Sequence, residues 1–284
     1  MKLHALPKRM LHCGKHQLDL SRPHVMGILN VTPDSFSDGG RFTGREQALA
    51  RAEQMLAEGA RIIDIGGEST RPNATPVSLQ EELDRVIPLV EALVQRCDPI
   101  ISVDTSSPEV FSAAAAAGAT IWNDVRALTR AGALEMAALL SLPVVLMHMR
   151  GEPATMNSLA HYHNVTQEVH TELSFRIEEA FAAGIRMENI IIDMGFGFAK
   201  DTPQSLQLLD EIWKLHSLEC PIMLGISRKR VLGEILGGAP VDERLYAGLA
   251  AALLGVQQGV SIIRSHDVRA TVEMLAVFQK MPRA

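Results

Sequence analysis

Val25-Met26-Gly27-Ile28-Leu29 is the first of the short apolar stretches that decide the fold of this 284-residue chain. Seven more follow it, at residues 61–65, 100–103, 120–122, 143–147, 190–192, 221–225 and 260–263. They are rich in β-branched residues, and their apolar residues run together rather than alternating with polar ones. This pattern indicates strands buried on both faces, as the strands of parallel sheets are.

Longer stretches with helical apolar spacing lie between these strands, for example at 46–58, 79–95, 109–117 and 165–183. Glycines that stand just before a strand mark the ends of several helices, at Gly59, Gly118, Gly184 and Gly259. A left-handed cap is expected at each of them. The repeating unit is strand, loop, helix and glycine, and eight such units form either a barrel or a doubly wound sheet.

We favour an α/β fold made of a single (β/α)8 TIM barrel, because there are eight units and the composition does not change along the chain. Residues 24–284 form the barrel, and residues 1–284 a single domain. Within residues 1–23, the stretch from Met10 to Leu20 with its glycine turn at Gly14 predicts a β-hairpin that closes the bottom. His12, Cys13 and His16 have metal-ligand side chains, but one short cluster is better explained as a solvent-exposed turn.

Composition excludes several classes of protein. Hydrophobic residues make up 47% of the chain, and its net charge of −6 argues against a nucleic-acid partner. We expect no signal peptide and no membrane span, because no apolar stretch approaches about 18 residues. Three widely spaced cysteines predict reduced thiols and a cytoplasmic location.

Polar or glycine-rich sequence follows each predicted strand. In a (β/α)8 barrel these positions lie on one rim, where the active site is built. The polar ends are 30–35, 66–71, 104–105, 123–124, 148–151, 193–198, 227–230 and 264–267. Eight such ends on one rim predict a substrate site.

Two chemistries are combined at this predicted rim. The residues suited to a flat heterocycle with an amino-pyrimidinone edge are Asp104, Asn123, Asp193 and Lys229. Asp104 taken alone is equally well explained as a helix N-cap.

The second chemistry is anion binding after the last two strands, where this fold often binds phosphate. Arg264 directly follows a buried strand, which favours a ligand role for it, and His266 lies beside it. Arg228 and Arg230 are better explained as solvated charges. Residues 32–43 and 66–76 are long polar loops, which are typical of lids, with plain surface turns as the alternative.

Several motifs of the chain resemble, in order, those of the dihydropteroate synthase family. They are 27–40 (GILNVTPDSFSDGG), 64–72 (DIGGESTRP), 102–105 (SVDT), 123–124 (ND), 147–149 (MHM), 195–198 (GFGF), 227–229 (SRK) and 264–267 (RSHD). The first two are long and specific, and the set spans most of the chain. The resemblance implies a transferase that joins a pterin diphosphate to 4-aminobenzoate and releases pyrophosphate, the step of folate biosynthesis that sulfonamides inhibit.

The resemblance also implies residue roles. Asn30 would contact a Mg2+ ion on the diphosphate. The pterin would be held by Asp104, Asn123, Asp193 and Lys229, the diphosphate by Arg264, Ser265 and His266, and the aminobenzoate by Thr70, Arg71, Pro72, Phe198 and Ser227. Among these, Asn30, Lys229, Arg264 and His266 would act in catalysis.

Family members are homodimers, which here implies pairing through 242–258 and 268–280. The chain departs from the family pattern at Asn73, Met194 and Ala199, where glycine, proline and glycine are usual. Two alternatives stay open: a pterin-binding methyltransferase domain, which would need neither the diphosphate residues nor the aminobenzoate loop, and a non-catalytic paralogue.

Overall fold

Eight parallel strands close into a barrel in a computed structural model of the protein, which describes residues 4, 6, 9–31, 41–68 and 77–281, with the side chains of 41–43 omitted. The strands are β3 (His24–Asn30), β4 (Ile62–Gly66), β5 (Ile100–Asp104), β6 (Ile121–Asp124), β7 (Val144–Met147), β8 (Ile190–Asp193), β9 (Ile222–Gly225) and β10 (Ile262–Ser265). Each pairs with the next along the chain, and β10 pairs with β3 to close the ring. The predicted TIM barrel is confirmed.

Helices surround this barrel. They are α1 (Arg41–Ala57), α2 (Leu79–Arg96), α3 (Pro108–Ala117), α4 (Ala133–Leu140), α5 (Val165–Ala182), α6 (Thr202–Asp210), α7 (Arg230–Ile235), α8 (Leu245–Gln257) and α9 (Val268–Lys280). Among the described residues, no helix is both long enough and apolar enough to span a membrane.

Helix ends follow the predicted signals. Backbone φ is positive at Gly59 (107°), Gly118 (114°), Gly184 (100°) and Gly259 (94°), which confirms the left-handed conformation expected where helices end. The first helix was predicted from residue 46 but begins at Arg41, so residues 41–43 belong to this helix and not to the predicted loop 32–43. The first turn of this helix reads Arg41-Phe42-Thr43-Gly44, with a single apolar residue and a glycine, so it shows no apolar periodicity that would mark the start.

A two-residue period divides each strand between the barrel interior and the helix layer. The lowest inward positions of the eight strands form one apolar layer, made of Met26, Ile62, Ile100, Ile121, Val145, Ile191, Met223 and Ile262. Outward positions pack against the helices, as where Trp122 stacks on Phe111 with ring centroids 4.7 Å apart. This alternation fixes which strand residues reach the interior.

An antiparallel hairpin covers the bottom of the barrel, as predicted. Its strands are β1 (Met10–Cys13) and β2 (His16–Asp19), and its buried side chains Leu11, Cys13, Leu18 and Leu20 join the lowest interior layer. Cys13 is therefore fully buried, and its prediction as part of an exposed turn was wrong. Alternation along β1 turns Cys13 inward while His12 remains exposed.

Leu18→Ala is expected to destabilise the protein by about 2–5 kcal/mol, because Leu18 is 1% exposed and seals the base of the barrel. Urea unfolding measures the loss. The control Met10→Ala, at a side chain 43% exposed on the same hairpin, should cost about 0.5 kcal/mol or less. Equal effects of both substitutions would show that the hairpin is not a structural closure.

Candidate active site

The inward positions above the apolar layer carry polar side chains. Asp64, Asn123, Asp193 and Arg264 each lie two residues beyond a layer residue on the same strand, and Asp104 lies four beyond Ile100. Residues two or four apart face the same side of a strand, so all five side chains enter the barrel. Strand register places Asp104 beside Asn123. The sequence prediction that these strands converge at one mouth is consistent with this geometry.

Arg264 connects the acids of this interior. Its Nε donates to Asp64 Oδ2 at 2.6 Å, and its Nη2 donates to Asp104 Oδ2 at 2.8 Å. Asn123 Nδ2 donates to Asp64 Oδ2 as well, at 3.2 Å. The Arg264 side chain is only 19% exposed, so both ion pairs are shielded from water. Asp104, Asn123 and Arg264 therefore form one connected group inside the mouth.

Asp64 belongs to this group but was not predicted as a site residue. It is fully buried, and within the described part of the chain its Oδ1 has no hydrogen-bond partner. A charged residue inside the apolar stretch Ile62-Ile63-Asp64-Ile65 was the signal available in the sequence. Charges are seldom fully buried unless they are paired, so this Asp required a cation from another strand.

Burial shapes the charge state of the group. It raises the pKa of Asp104 to about 7; Arg264 opposes the rise and Asp64 adds to it. Burial also raises the pKa of Asp193, against the effect of the Lys229 ammonium. For Arg264 burial acts to lower the pKa, but the carboxylates of Asp64 and Asp104 outweigh it and raise the pKa. The mouth thus holds the Arg264 guanidinium beside buried acids, and burial raises the pKa values of Asp104 and Asp193.

The Asp64 and Asp104 group forms one wall of the mouth. Asp193 and Lys229 form the opposite wall, across the barrel from it. Asp193 Oδ1 accepts a hydrogen bond from Gly195 N at 2.7 Å, and Lys229 Nζ donates to Phe196 O at 2.6 Å. The same Nζ lies 4.5 Å from the centroid of the Phe198 ring. Burial lowers the pKa of Lys229 to about 8, while Asp193 acts to raise it. This wall can offer an acceptor, a cation and an aromatic face to a ligand.

Glycines keep the space between the walls open. An ideal Cβ on Gly225 would lie 3.6 Å from Asp193 Oδ2 and 3.9 Å from the Cβ of Arg264. An ideal Cβ on Gly66 would lie 3.5 Å from Asn30 Oδ1 and 3.9 Å from Asp104 Oδ2. Asn30 is therefore placed at the rim beside Asp104.

Ser227 and His266 form a second cluster on the rim. The backbone N of His266 donates to Ser227 Oγ at 3.2 Å, and His266 Nδ1 is also 3.2 Å from that oxygen. Asp267 lies 3.4 Å from Ser227 Oγ and pairs with Arg228, whose Nη2 is 2.5 Å from Asp267 Oδ1. Arg228 is exposed, as predicted, but its charge is paired rather than solvated alone.

Other predicted residues are placed differently. Ser265 faces away from the interior: its Oγ accepts from Asp267 N at 3.1 Å and from Thr271 Oγ1 at 3.0 Å. Its place between the inward Arg264 and the rim explains this, since neighbours on a strand face opposite sides. The N-cap of α3 is Ser107, so capping does not explain Asp104.

The second loop and most of the first lie outside the described residues. Thr70, Arg71 and Pro72 are among them, as are Asn73 and most of the predicted lids, 32–40 and 69–76. Their assignments remain predictions.

Two departures from the family pattern lie beside Asp193. Met194 is fully buried and packs into the core of the helix layer. Ala199 has a φ of 48°, in the left-handed region where glycine is easily accommodated. The Met194 side chain therefore faces the helices and not the mouth of the barrel.

Comparison with known proteins places the chain in a family. The family model described as "Pterin binding enzyme" matches residues 26–266. Dihydropteroate synthase from Haemophilus influenzae is 50% identical over 274 residues, which cover 96% of this chain and 99% of that protein. The chain belongs to the dihydropteroate synthase family.

Solved structures agree with this assignment. Xanthomonas albilineans dihydropteroate synthase with 4-aminobenzoic acid is 48% identical, has a TM-score of 0.91, and covers 97% of this chain and 100% of its own. The same enzyme in complex with 7,8-dihydropteroate is 46% identical with a TM-score of 0.88, covering 96% of this chain and 100% of its own. The dihydropteroate synthase fold therefore extends over almost the entire chain.

Arg264→Met is expected to lower the free energy of unfolding by about 3–5 kcal/mol at pH 8, because Asp64 and Asp104 would lose the cation that pairs with them. An acid whose pKa is raised in the folded state destabilises the fold above its unfolded pKa, and protonation relieves this cost as the pH falls. Since the pKa of Asp104 is already about 7, the deficit should shrink at pH 5.5.

Urea unfolding of both proteins at the two pH values measures this effect. The control Arg230→Met removes an exposed ion pair with Glu234 and should change stability by about 0.5 kcal/mol or less at either pH. A deficit of the same size at pH 5.5 and pH 8 would mean that lost packing, rather than unpaired charge, explains the Arg264 effect.

Proposed function

We propose that the protein condenses a 6-hydroxymethyl-7,8-dihydropterin diphosphate with 4-aminobenzoate, giving 7,8-dihydropteroate and pyrophosphate. One observation supports this above the others: Asp104, Asn123 and Asp193 converge with Arg264 in one barrel mouth, in a chain of this family. This set offers hydrogen-bond acceptors, an amide and a cation to a flat heterocycle. A pterin has matching N–H donors and a carbonyl on its edge.

The pterin is proposed to lie between the two walls of the mouth. Asp193 and Asp104 would accept from its N–H groups, and Asn123 can both donate and accept. Lys229 would face the ring carbonyl or a ring nitrogen. Arg264 provides a planar guanidinium beside this pocket, and its positive charge balances the negative charges of Asp64 and Asp104.

The bond changes take place at the methylene carbon of the pterin. The aryl amine nitrogen supplies the electron pair of the new C–N bond, and the C–O bond to the diphosphate breaks with its electrons on the departing oxygen. The amine then loses one proton to solvent. An aryl amine is a neutral nucleophile, so the residues need only orient it and stabilise the negative charge on the leaving group. We assign that stabilisation to Arg264 and His266, and not to the Ser265 hydroxyl, which faces away from the interior.

Magnesium fits the rim at Asn30. The described residues contain no cluster of three acids, histidines or cysteines that could hold a metal by themselves. Mg2+ commonly binds one or two protein oxygens and completes its shell with substrate phosphates and water. The Asn30 amide oxygen, near Asp104 at the mouth, suits this mode. The ion would neutralise charge on the leaving pyrophosphate when bound.

The aminobenzoate is proposed to bind above the pterin, near Phe198 and Ser227. The Phe198 ring is half-buried, and its centroid lies 4.5 Å from Lys229 Nζ. The Ser227 hydroxyl, which lies 3.2 Å from His266 Nδ1, can donate to a carboxylate. Thr70, Arg71 and Pro72 would complete this site from the second loop. A sulfonamide would compete for the same place.

A pyrophosphate-release assay tests the proposed function. We expect release that depends on pterin diphosphate, Mg2+ and 4-aminobenzoate together, and a product with the mass of 7,8-dihydropteroate. Arg264→Ala should lose roughly a hundredfold or more of kcat/KM, as expected when a charge-stabilising donor is removed. Arg230→Ala, at an exposed ion pair, is the matched control and should keep wild-type rates.

Other outcomes separate the alternatives. Pterin binding without pyrophosphate release would favour a methyltransferase domain or a non-catalytic paralogue. Unchanged release by Arg264→Ala would refute the role assigned to Arg264.

We also propose a homodimer formed through α8 and α9, in a cytoplasmic protein. These neighbouring helices carry exposed apolar side chains, including Tyr246 (81% exposed) and Val277 (70%). Large apolar side chains exposed on adjacent helices indicate a protein interface. The three cysteines are free thiols, as expected in a reducing compartment.

Val277→Lys is expected to shift the protein toward monomers, because a charge would enter the apolar centre of the proposed interface. Light scattering coupled to gel filtration measures the molar mass. The control Leu139→Lys changes a side chain that is 78% exposed on α4 and should remain dimeric. A wild-type monomer, or a Val277→Lys dimer of unchanged stability on dilution, would contradict this interface.

A further inference from the structure

Lys200 is a buried cation that the proposed chemistry does not use. It lies between Ala199 and the N-cap of α6, and only 1% of its surface is exposed. Its Nζ is 3.1 Å from Gly195 O, 2.9 Å from Phe198 O and 2.9 Å from His148 Nδ1. Within the described residues, no carboxylate lies within 4.0 Å of this nitrogen. The ammonium is thus held by three neutral acceptors.

Burial of a charge with neutral partners is costly, and the hydrogen bonds that the ammonium donates to Gly195 O, Phe198 O and His148 Nδ1 offset this cost. Burial lowers the pKa of Lys200 to about 7, and Lys229 acts in the same direction. The charged groups around it are Lys229, Asp193, Glu172 and Arg150, with the ring of His148 in contact. The three acceptors around its Nζ explain why a lysine is buried here.

His148 is arranged to receive the lysine. Its Nε2 lies 2.9 Å from Glu172 Oε2, and burial lowers the pKa of His148 to about 4, so the ring is neutral. A neutral ring with Nε2–H directed at Glu172 leaves Nδ1 as an acceptor, which is what an ammonium requires. The end of β7 and the segment after β8 are thereby joined through Lys200.

The segment joined in this way, residues 195–198, lies beyond the end of β8, so the strand itself does not fix its position. Gly195 packs against β7 so closely that an ideal Cβ would lie 1.9 Å from His148 O. Lys229 Nζ donates to Phe196 O, and Lys200 Nζ donates to Gly195 O and Phe198 O. Every one of these contacts is to backbone, so they set the path of the segment and with it the position of the Phe198 ring.

We propose that Lys200 is a positioning residue for the second substrate: its ammonium fixes segment 195–198 against His148 and so holds Phe198 in place to bind the aminobenzoate. This inference rests on the proposed function. Asp193 belongs to a barrel strand and keeps its place without the lysine, so the pterin side depends on Lys200 much less. The expected signature is a selective loss of affinity for one of two substrates.

Steady-state kinetics of Lys200→Met, with KM determined separately for 4-aminobenzoate and pterin diphosphate at pH 6.5, test the proposal. The KM for 4-aminobenzoate should rise about tenfold or more, which corresponds to about 1.4 kcal/mol. The KM for pterin diphosphate should stay within about threefold, and the thermal midpoint should fall, since Gly195 O, Phe198 O and His148 Nδ1 lose their buried donor. The control Lys214→Met, at a surface pair with Glu211, should match wild type.

A wild-type pH series gives a second measurement that needs no variant. With a pKa of about 7, Lys200 loses its proton between pH 6.0 and 8.5, so the KM for 4-aminobenzoate should rise across that range. Lys200→Met should lack this rise and show the high KM throughout. Lys229, with a pKa of about 8, also binds this segment through Phe196 O, so any rise that persists in Lys200→Met is assigned to Lys229.

The outcomes are distinct. Unchanged KM values in Lys200→Met, or equal increases for both substrates, would overturn the role of Lys200 while leaving the activity established. If the variant fails to fold, a wild-type KM for 4-aminobenzoate that is constant from pH 6.0 to 8.5 overturns it. A wild-type protein that forms no dihydropteroate would refute the proposed function, and this inference with it.

Discussion

The pairing of Arg264 with Asp64 and Asp104 is the interaction on which the rest of the site depends. Two carboxylates inside a closed barrel could not stay ionised without a cation, and the barrel wall offers one on β10. The three residues come from β4, β5 and β10, on both sides of β3. The ion pairs therefore join strands that are distant in sequence, and they hold acceptors in a pocket from which water is largely excluded. Under the proposed function, ligand recognition and the electrostatic balance of the barrel would depend on the same atoms.

Much of the fold was predictable from the sequence because its signals are local and repeated. Continuous apolar stretches marked the strands, and glycines at positive φ marked the ends of helices. The start of α1 was missed because its first turn has a single apolar residue and therefore no periodicity. The burial of Cys13 was missed because a two-residue alternation near a turn is too short to read. Asp104, Asn123, Asp193, Lys229 and Arg264 could be named because polar residues at strand ends meet on one rim.

What the sequence could not show is which side chains pair with one another. Asp64 was visible as a charge in an apolar stretch, but its partner is 200 positions away. Ser265 lies beside Arg264 in sequence and faces the opposite side of the wall. Lys200 carries no local signal, because its three acceptors are two carbonyls and a ring on another strand. Such contacts arise from strand register and loop path, which only the folded chain specifies.

The hairpin of β1 and β2 affects the route by which ligands reach the barrel interior. Since it fills the base of the barrel with apolar side chains, ligands pass through the opposite end. A heterocycle bound at the depth of Asp64 would then lie beneath an aromatic acid bound at the level of Phe198. In that arrangement the heterocycle would bind before the aromatic acid, and the joined product would leave through the same mouth. Closure of the base would in this way set the order in which the two substrates bind at the open end.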